Sequence, residues 1–477
     1  MYRNIHQKLD VIINSENGKN KPSNIIQLEW MGQSFSIDPE QDGTLQIQQL
    51  TAEFPMVLTF SSNYGYDIYV DDELVKENSI EKSIEPFTHW QKPITLRFIN
   101  RNSGHSATYT VPVYPNDLPD IIVTQNMKKA NTGAYYFVAG NFLVKMNTYG
   151  KIIYFRRENK TTPALRDFRR VETPNGNVRY LFMKAYDGYN RDAGNSYYIV
   201  MDEKYNVIDM IEYLQPSSSV PESTGNEGHD IIYIDDGHYY QTAYVAKHVT
   251  NIPSSVPHDL NMGSRVYAAI LQEVKDGKII WEWDSTNYPE LYGYSTDSND
   301  YFNTSLDVSD YMHFNSIDID PKDGNIICSF RHQDAIIKIN KDTGEILWIL
   351  GGPGDQFNLT EEQRFYHQHH ARFTPEGTIT LYNNNNGHGY SYPMEFRLDE
   401  ENKKVLECHI FKAEQQARTW MGSAQKLDSD GTFLIGWGGR SGTSSNLLFS
   451  EIDFSDSSVL FEAACATDNY RVYKYEN

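Results

Sequence analysis

The chain has 477 residues, room for about two to four domains and an ample core. Its 42 basic and 64 acidic residues leave a formal charge of -22, which repels a nucleic-acid backbone or an anionic membrane and points to small, non-polyanionic partners. Hydrophobic residues at 39% and aromatics at 13%, dominated by 34 Tyr and 22 Phe, exclude a disordered protein and favour strands.

The first residues, Met1 to Ser15, mix charges into the place where a signal peptide needs a continuous apolar stretch. If Met1 is the native start, the expected compartment is the cytoplasm. Nowhere is there the run of roughly 18 apolar residues that a spanning helix requires, so no membrane anchor is expected. From Ile25 to Val113, short alternating segments such as Ser34–Ile37, Tyr66–Val70 and Ala107–Val111 stand between turn residues, the pattern of a small antiparallel, immunoglobulin-like sandwich. Pro112, Pro115, Asn116, Asp117 and Pro119 then crowd a short stretch in the manner of a linker, giving predicted domains at 1–118 and 119–477.

Beyond the linker the chain repeats. A strand, a polar turn and a second apolar strand recur at Met146–Tyr154, Met201–Asp209, Gln272–Trp281, Ile339–Trp348, Leu398–Glu407 and Ile452–Phe461. A second hairpin type falls between them, at Val171–Tyr180, Ile232–Tyr240, Ile317–Ile327, Phe373–Ile379 and Lys426–Phe433, with the first unit's inner hairpin placed loosely around Gly133 to Gly140. Two alternating hairpins per period make one four-stranded blade, so the fold class is all-β, a six-bladed β-propeller after the sandwich. Inner strands of a propeller bring distant residues to the axis, which is where chemistry is to be sought.

Histidine is the side chain to follow there, as base and nucleophile near neutral pH. His229, His313 and the run His367-Gln-His369-His370 stand just ahead of, or within, inner hairpins at equivalent places in successive units. Strand alternation puts His313 and Asn315 on one side as a matched pair. Arg331, at the end of an apolar inner strand, either meets a structural carboxylate or holds a tetrahedral anion with its planar fork of donors. In the His-rich run a strand sends His367 and His369 to one side and His370 to the other, with no obvious carboxylate beside them, so no metal is assigned. Asn383 to Asn386 read as a polar loop, and Asp318-x-Asp320-x-x-Asp323-Gly324 as a hairpin turn that misses calcium-loop spacing. Cys328, Cys408 and Cys465 indicate neither a disulfide framework nor a thiolate site. No phosphate-cradling glycine motif appears, so no nucleotide cofactor is expected.

His313-Phe-Asn-Ser-Ile317, followed 18 residues on by Arg331-His-Gln333, and the segment Gln368-His369-x-Ala371 are similar to the motifs of the arylsulfate sulfotransferase family, the type that does not use phosphoadenosine phosphosulfate. The resemblance covers most of the chain. It implies a sandwich followed by a six-bladed propeller, and His369 as the nucleophile that becomes transiently sulfated. His229, His313 and Arg331 would be catalytic around the sulfuryl group, Asn315 substrate-binding, and a further family threonine would fall at Ser441 or Thr443. It also implies ping-pong transfer from a phenolic sulfate ester to an acceptor phenol without metal or cofactor, dimerisation through the N-terminal region, and export if a signal segment precedes Met1. Two competing expectations remain: a metal-dependent propeller hydrolase or lyase using the same histidines, and a non-enzymatic binding propeller.

Overall fold

The computed structural model describes residues 25–476 except 31–32, 46, 50–54, 62–63, 84–93, 112, 116, 128–132, 159–163, 186–195, 215–223, 303–307, 414–416, 418, 428–430 and 440–445. Ser441 and Thr443 therefore lie outside the described residues. The protein is all-β, with short 3-10 turns such as Arg331–Gln333 and Glu361–Gln363 between strands. Among the described residues no helix is long and apolar enough to cross a membrane. The chain divides into two compact units at residues 116/117.

In the first unit a four-stranded sheet runs in the order Gln33–Ile37, Ile26–Trp30, Pro55–Phe60, Ser79–Ser83. A five-stranded sheet runs Gly43–Thr44, Ser106–Val111, Ile94–Asn100, Tyr66–Val70, Glu73–Leu74. Alternation does what the sequence pattern requires: Tyr66, Ile68 and Val70 are buried while Asp67 and Tyr69 are half-buried. Leu28, Ile37, Leu58, Phe60, Ile68, Leu96 and Phe98, drawn from both sheets, form one core. Two pairings depart from the antiparallel expectation. Gly43–Thr44 runs parallel to Ser106–Val111, and Val113–Pro115 runs parallel to Ile47–Gln49. The second corrects the predicted linker: its first residues are an edge strand, a position that tolerates Pro115 because an edge leaves donors unused.

The second unit contains, among the described residues, six sheets. The innermost strands of five are Ala164–Glu172, Thr224–Asp235, Phe314–Ile319, His369–Phe373 and Ser423–Lys426, and each pairs outward with the next strands of the chain. The outer hairpins predicted from Met146 to Ile452 all form, as do the five inner hairpins from Val171 to Lys426. The first sheet differs from its predicted form. Ala134–Ala139 is not half of an inner hairpin; its inner partner is Tyr473–Tyr475, from the end of the chain. Conversely Ile121–Asn126 adds to the outer strand Ser458–Cys465 of the last sheet. Each end of the unit thus completes a sheet begun at the other, covering edges that would otherwise stay open.

Apolar faces meet between consecutive sheets. Trp283, Phe314, Phe330 and Ile337 belong to one cluster, and Trp348, Leu350, Leu381 and Phe396 to the next. Each large apolar side chain buried this way contributes about 1.5–3 kcal/mol, so stability is spread over every interface. Between strands the chain turns tightly. Gly352 has φ +62°, and a Cβ there would stand 2.0 Å from the Gln333 carbonyl oxygen, so only glycine lets this loop close on the Arg331–Gln333 turn.

Candidate active site

Three adjacent sheets supply the predicted site residues. His229 lies on the innermost strand Thr224–Asp235, His313 immediately before Phe314–Ile319, Arg331 immediately after Ile326–Phe330, and His369 opens His369–Phe373. Phe314–Ile319 packs against both neighbouring inner strands. That packing brings the four together: the His229 and His313 rings are 5.1 Å apart edge to face, and both bear electrostatically on His369 or are felt by it.

His369 is 1% exposed, and its Nδ1 lies 2.7 Å from Asn384 Oδ1. The direction of that bond follows from the other side of the amide. Asn384 Nδ2 donates to the backbone carbonyls of Thr419 at 3.0 Å and Met421 at 2.9 Å, which only accept, so Oδ1 is the atom turned to the imidazole. His369 Nδ1 must then carry the proton. A second acceptor, the His367 carbonyl at 3.1 Å, reinforces the same tautomer and leaves the Nε2 lone pair available. Burial, then the Arg331 guanidinium, hold the His369 pKa well below its ordinary value, so the ring is neutral and nucleophilic at neutral pH. Asn384 belongs to the asparagine run expected to be a polar loop, and it does open a loop after Asn383, but its side chain is bonded to His369. The available sequence signal was its place at the end of the strand Ile379–Asn383, which pairs with His369 itself.

His313 departs from its predicted geometry. Its backbone is left-handed, φ +54°, so it stands outside the strand and does not form a matched pair with Asn315. Instead His313 Nδ1 is 2.7 Å from Asp310 Oδ2, three residues back, and its ring stacks on His332 at 4.5 Å. A carboxylate accepts only, so Nδ1 is the N–H and Nε2 faces away from Asp310. His332 in turn bonds the Asp310 carbonyl through Nδ1, and burial carries its pKa down to about 4. Of the two alternatives for Arg331, a carboxylate is met: Asp297 Oδ2 accepts from it at 3.2 Å and also faces His332 and His367 at 3.5 and 3.6 Å. Burial would raise the Asp297 pKa, but His332 and Arg331 hold it below the ordinary range. Asp310, Asp297 and His332 were not singled out from the sequence.

Asn315 is fully buried. Its Nδ2 donates to the Gln368 carbonyl at 2.5 Å, one residue before His369, and its own carbonyl accepts from Arg471. Gln368 is locked by donating to Ser329 Oγ at 2.9 Å and the Ala335 carbonyl at 2.9 Å. Through Arg471, the Asn315 carbonyl is joined to a buried charge cluster that the sequence did not disclose. Asp230 accepts from Arg169 at 3.1 Å, Arg372 at 2.6 Å and the Ile317 N–H at 3.1 Å, and lies 3.2 Å from Arg471. Asp167 accepts from Tyr473 at 2.6 Å and Arg471 at 3.3 Å. Asp230 thus ties four sheets to one carboxylate.

Two groups of side chains are close enough to hold a cation: Asp310, His313 and His332, and separately Asp320, Asp323 and Glu400. The second is filled by the Lys338 ammonium, at 2.6, 2.8 and 2.7 Å from the three carboxylates, which explains the missed calcium-loop spacing as the anchor of a buried lysine. The first has two nitrogens and a carboxylate, a donor set suited to a divalent metal.

Residues 109–475 match the model of the arylsulfotransferase (ASST) family. An arylsulfate sulfotransferase of Escherichia coli is 26% identical over 167 residues, an alignment spanning 27% of this chain and 28% of that protein. Among solved structures, a protein of unknown function from Bacteroides caccae covers 73% of this chain and is itself covered entirely, at 10% identity and a TM-score of 0.42. A virginiamycin B lyase from Staphylococcus aureus covers 92% of this chain, 99% of its own length, at 11% identity and a TM-score of 0.32. By the family match over most of its length, the chain belongs to the arylsulfotransferase family.

Proposed function

We propose that the protein is an aryl-sulfate sulfotransferase that moves a sulfuryl group from a phenolic sulfate ester to an acceptor phenol through a sulfohistidine on His369, by ping-pong kinetics and without phosphoadenosine phosphosulfate. Its body is a six-bladed propeller, residues 119–477, preceded by an immunoglobulin-like sandwich, residues 1–118. The observation that carries the chemistry is the Asn384 lock, which gives a buried, neutral His369 a fixed tautomer with Nε2 as the lone pair.

In the first half-reaction Nε2 attacks sulfur, the N–S bond forms as the S–O(aryl) bond breaks, and the phenolate departs with both bonding electrons. Positive charge appears on the sulfated imidazole and is spread toward Asn384 through Nδ1–H. Arg331, His229 and the second amide N–H of Asn315 surround the sulfuryl oxygens, since such transfer asks mainly for in-line positioning and donors on the transferring group. Asp310 singles out His313 as acid and base: a carboxylate on Nδ1 stabilises the imidazolium that protonates the leaving oxygen through Nε2. In the second half-reaction His313 takes the acceptor's proton, its oxygen attacks sulfur, and His369 is released neutral.

Chelator-treated protein given p-nitrophenyl sulfate should release nitrophenolate in a phenol-dependent manner, yield phenyl sulfate, and show a sulfated intermediate by intact mass that maps to His369. The second reading, a metal-dependent hydrolase or lyase, is favoured by one observation, the Asp310, His313 and His332 donor set. Activity lost to chelator and restored by a divalent metal would install it instead. Replacing Asp310 with Asn should lower kcat about 10²- to 10⁴-fold for phenyl sulfate, whose leaving group needs a proton, and much less for p-nitrophenyl sulfate. Equal losses with both donors would remove His313 from the acid role.

A further inference from the structure

The loop 295–299 is pinned beside the candidate site. The Thr296 N–H donates to the His332 carbonyl at 2.7 Å, its hydroxyl donates to Asp334 Oδ2 at 2.9 Å, and Asn299 Nδ2 donates to the Ser295 carbonyl at 2.8 Å. Asp334 Oδ1 accepts the His367 N–H at 2.6 Å, so one carboxylate fixes the loop and the start of the His-rich run together. Held in this way, Asp297 places Oδ2 3.2 Å from Arg331 Nη1, 3.5 Å from His332 Nε2 and 3.6 Å from His367 Nε2. Its side chain is 42% exposed and that of Arg331 18%.

The contact uses one corner of the guanidinium. Nε and Nη2 of Arg331 have no partner among the described residues, so the planar edge that grips two oxygens at once stays open. Arg331 is also the charge that bears most strongly on His369, which sets this guanidinium near the nucleophile. The surrounding charges do not supply an excess of cations. Burial above all holds the pKa values of His229, His367 and His369 below the ordinary one and carries that of His332 to about 4, so these rings are neutral in mildly alkaline solution. Arg331 and Arg166 bear on them, and so do the carboxylates of Asp297, Asp310 and Asp334. Arg471, which also reaches His229 and His369, is matched by Asp167 at 3.3 Å and Asp230 at 3.2 Å. A sulfate ester brings one negative charge to such a site. A phosphate ester of the same shape brings two above its second pKa of about 6, and a fixed carboxylate repels it about twice as strongly.

We propose that Asp297 is a positioning and specificity-determining residue of the transfer site: it takes Arg331 Nη1, presents the Nε–Nη2 edge to the sulfuryl oxygens, and by its charge admits the monoanionic sulfate ester while rejecting the dianionic phosphate ester. This rests on the sulfotransferase reading and adds to it the discrimination between the two kinds of ester.

The test uses full-length His369→Asn, which does not turn the donor over, in one buffer at pH about 8, where p-nitrophenyl phosphate is a dianion. Calorimetric titration should show p-nitrophenyl sulfate bound at least about tenfold more tightly than p-nitrophenyl phosphate. Adding Asp297→Asn keeps an acceptor for Nη1 and removes the charge; it should narrow that ratio about tenfold, chiefly by strengthening the phosphate ester. Adding Asp297→Ala instead removes the acceptor as well, and should bind both esters more weakly than the Asp297→Asn protein does. A ratio unchanged by Asp297→Asn, with p-nitrophenyl sulfate still bound, overturns the assignment of specificity and leaves the transferase reading standing. Equal affinities in the Asn and Ala variants overturn the positioning role. Absence of p-nitrophenyl sulfate binding in the native protein as well as in His369→Asn overturns the transferase reading and this proposal together.

Discussion

His369→Asn is expected to abolish sulfuryl transfer, lowering kcat by roughly 10⁴-fold or more, while the thermal midpoint and spectrum of the protein stay near those of the parent. The side chain it replaces is enclosed and makes its contacts through Nδ1, to Asn384 and the His367 carbonyl, and an asparagine amide supplies a donor for the same partners. What is lost is the Nε2 lone pair. Asn384→Leu is the sharper companion. It leaves the nucleophile in place but removes the nearer of the two acceptors that fix the tautomer, so Nε2–H becomes populated and attack is blocked in that fraction; a loss of about 10²- to 10³-fold is expected. Because the two residues act as one unit, His369→Asn combined with Asn384→Leu should be no worse than His369→Asn alone. Full activity in His369→Asn would move the nucleophile elsewhere. A multiplicative double variant would mean that Asn384 acts on substrate by itself.

How much of this was legible in the chain depended on the range of the interactions involved. Hairpins are local: turn residues between two apolar strands declare themselves, and both hairpin families formed where their turn chemistry placed them. The first sheet did not, because the inner partner of Ala134–Ala139 is Tyr473–Tyr475, more than 300 residues away, and no local pattern encodes a partner at that distance. The candidate site divides the same way. His229, His313, Arg331 and His369 were visible because each stands beside or within a recognisable inner hairpin, and the last three also repeat a family motif. Their partners were not. Asn384 hides in a run of four asparagines whose composition says only that it is polar, and what distinguishes it is the His369 ring, 15 residues back, and the carbonyls of Thr419 and Met421, 35 and 37 residues on. His313 shows the limit of periodicity: strand alternation paired it with Asn315, but one left-handed residue cancels that rule.

Asp230→Asn is expected to be the most destabilising single substitution of a polar residue in the second unit, at about 3–5 kcal/mol, the usual effect of breaking a buried ion pair from one side. The carboxylate is 1% exposed and faces three guanidiniums, Arg169, Arg372 and Arg471, which the uncharged amide would leave without their common counter-ion. The effect also has a pH signature. Burial alone would raise the Asp230 pKa, but Arg372, Arg471 and Arg169 override it and hold the carboxyl far below its unfolded value. A depressed folded pKa means that the stabilisation is complete above the unfolded pKa of about 4 and is lost as pH falls below it. Neighbouring Asp318 runs the other way. Burial pushes its pKa up to about 6, so its contribution is complete below pH about 4 and fades as pH rises through 6. Urea unfolding of the parent should therefore show a midpoint that drops on acidification below pH about 4, and Asp230→Asn should start lower at pH 7 and flatten that drop. A variant as stable as the parent at pH 7, or one with an unchanged acid limb, would show that the arginines find equivalent partners among Asp167 and the backbone carbonyls. Next to His229 in the chain and bonded to the Ile317 N–H two residues after Asn315, the same carboxylate is also tied to two of the strands that carry the candidate site. Its loss should therefore lower kcat even at temperatures where the variant remains folded.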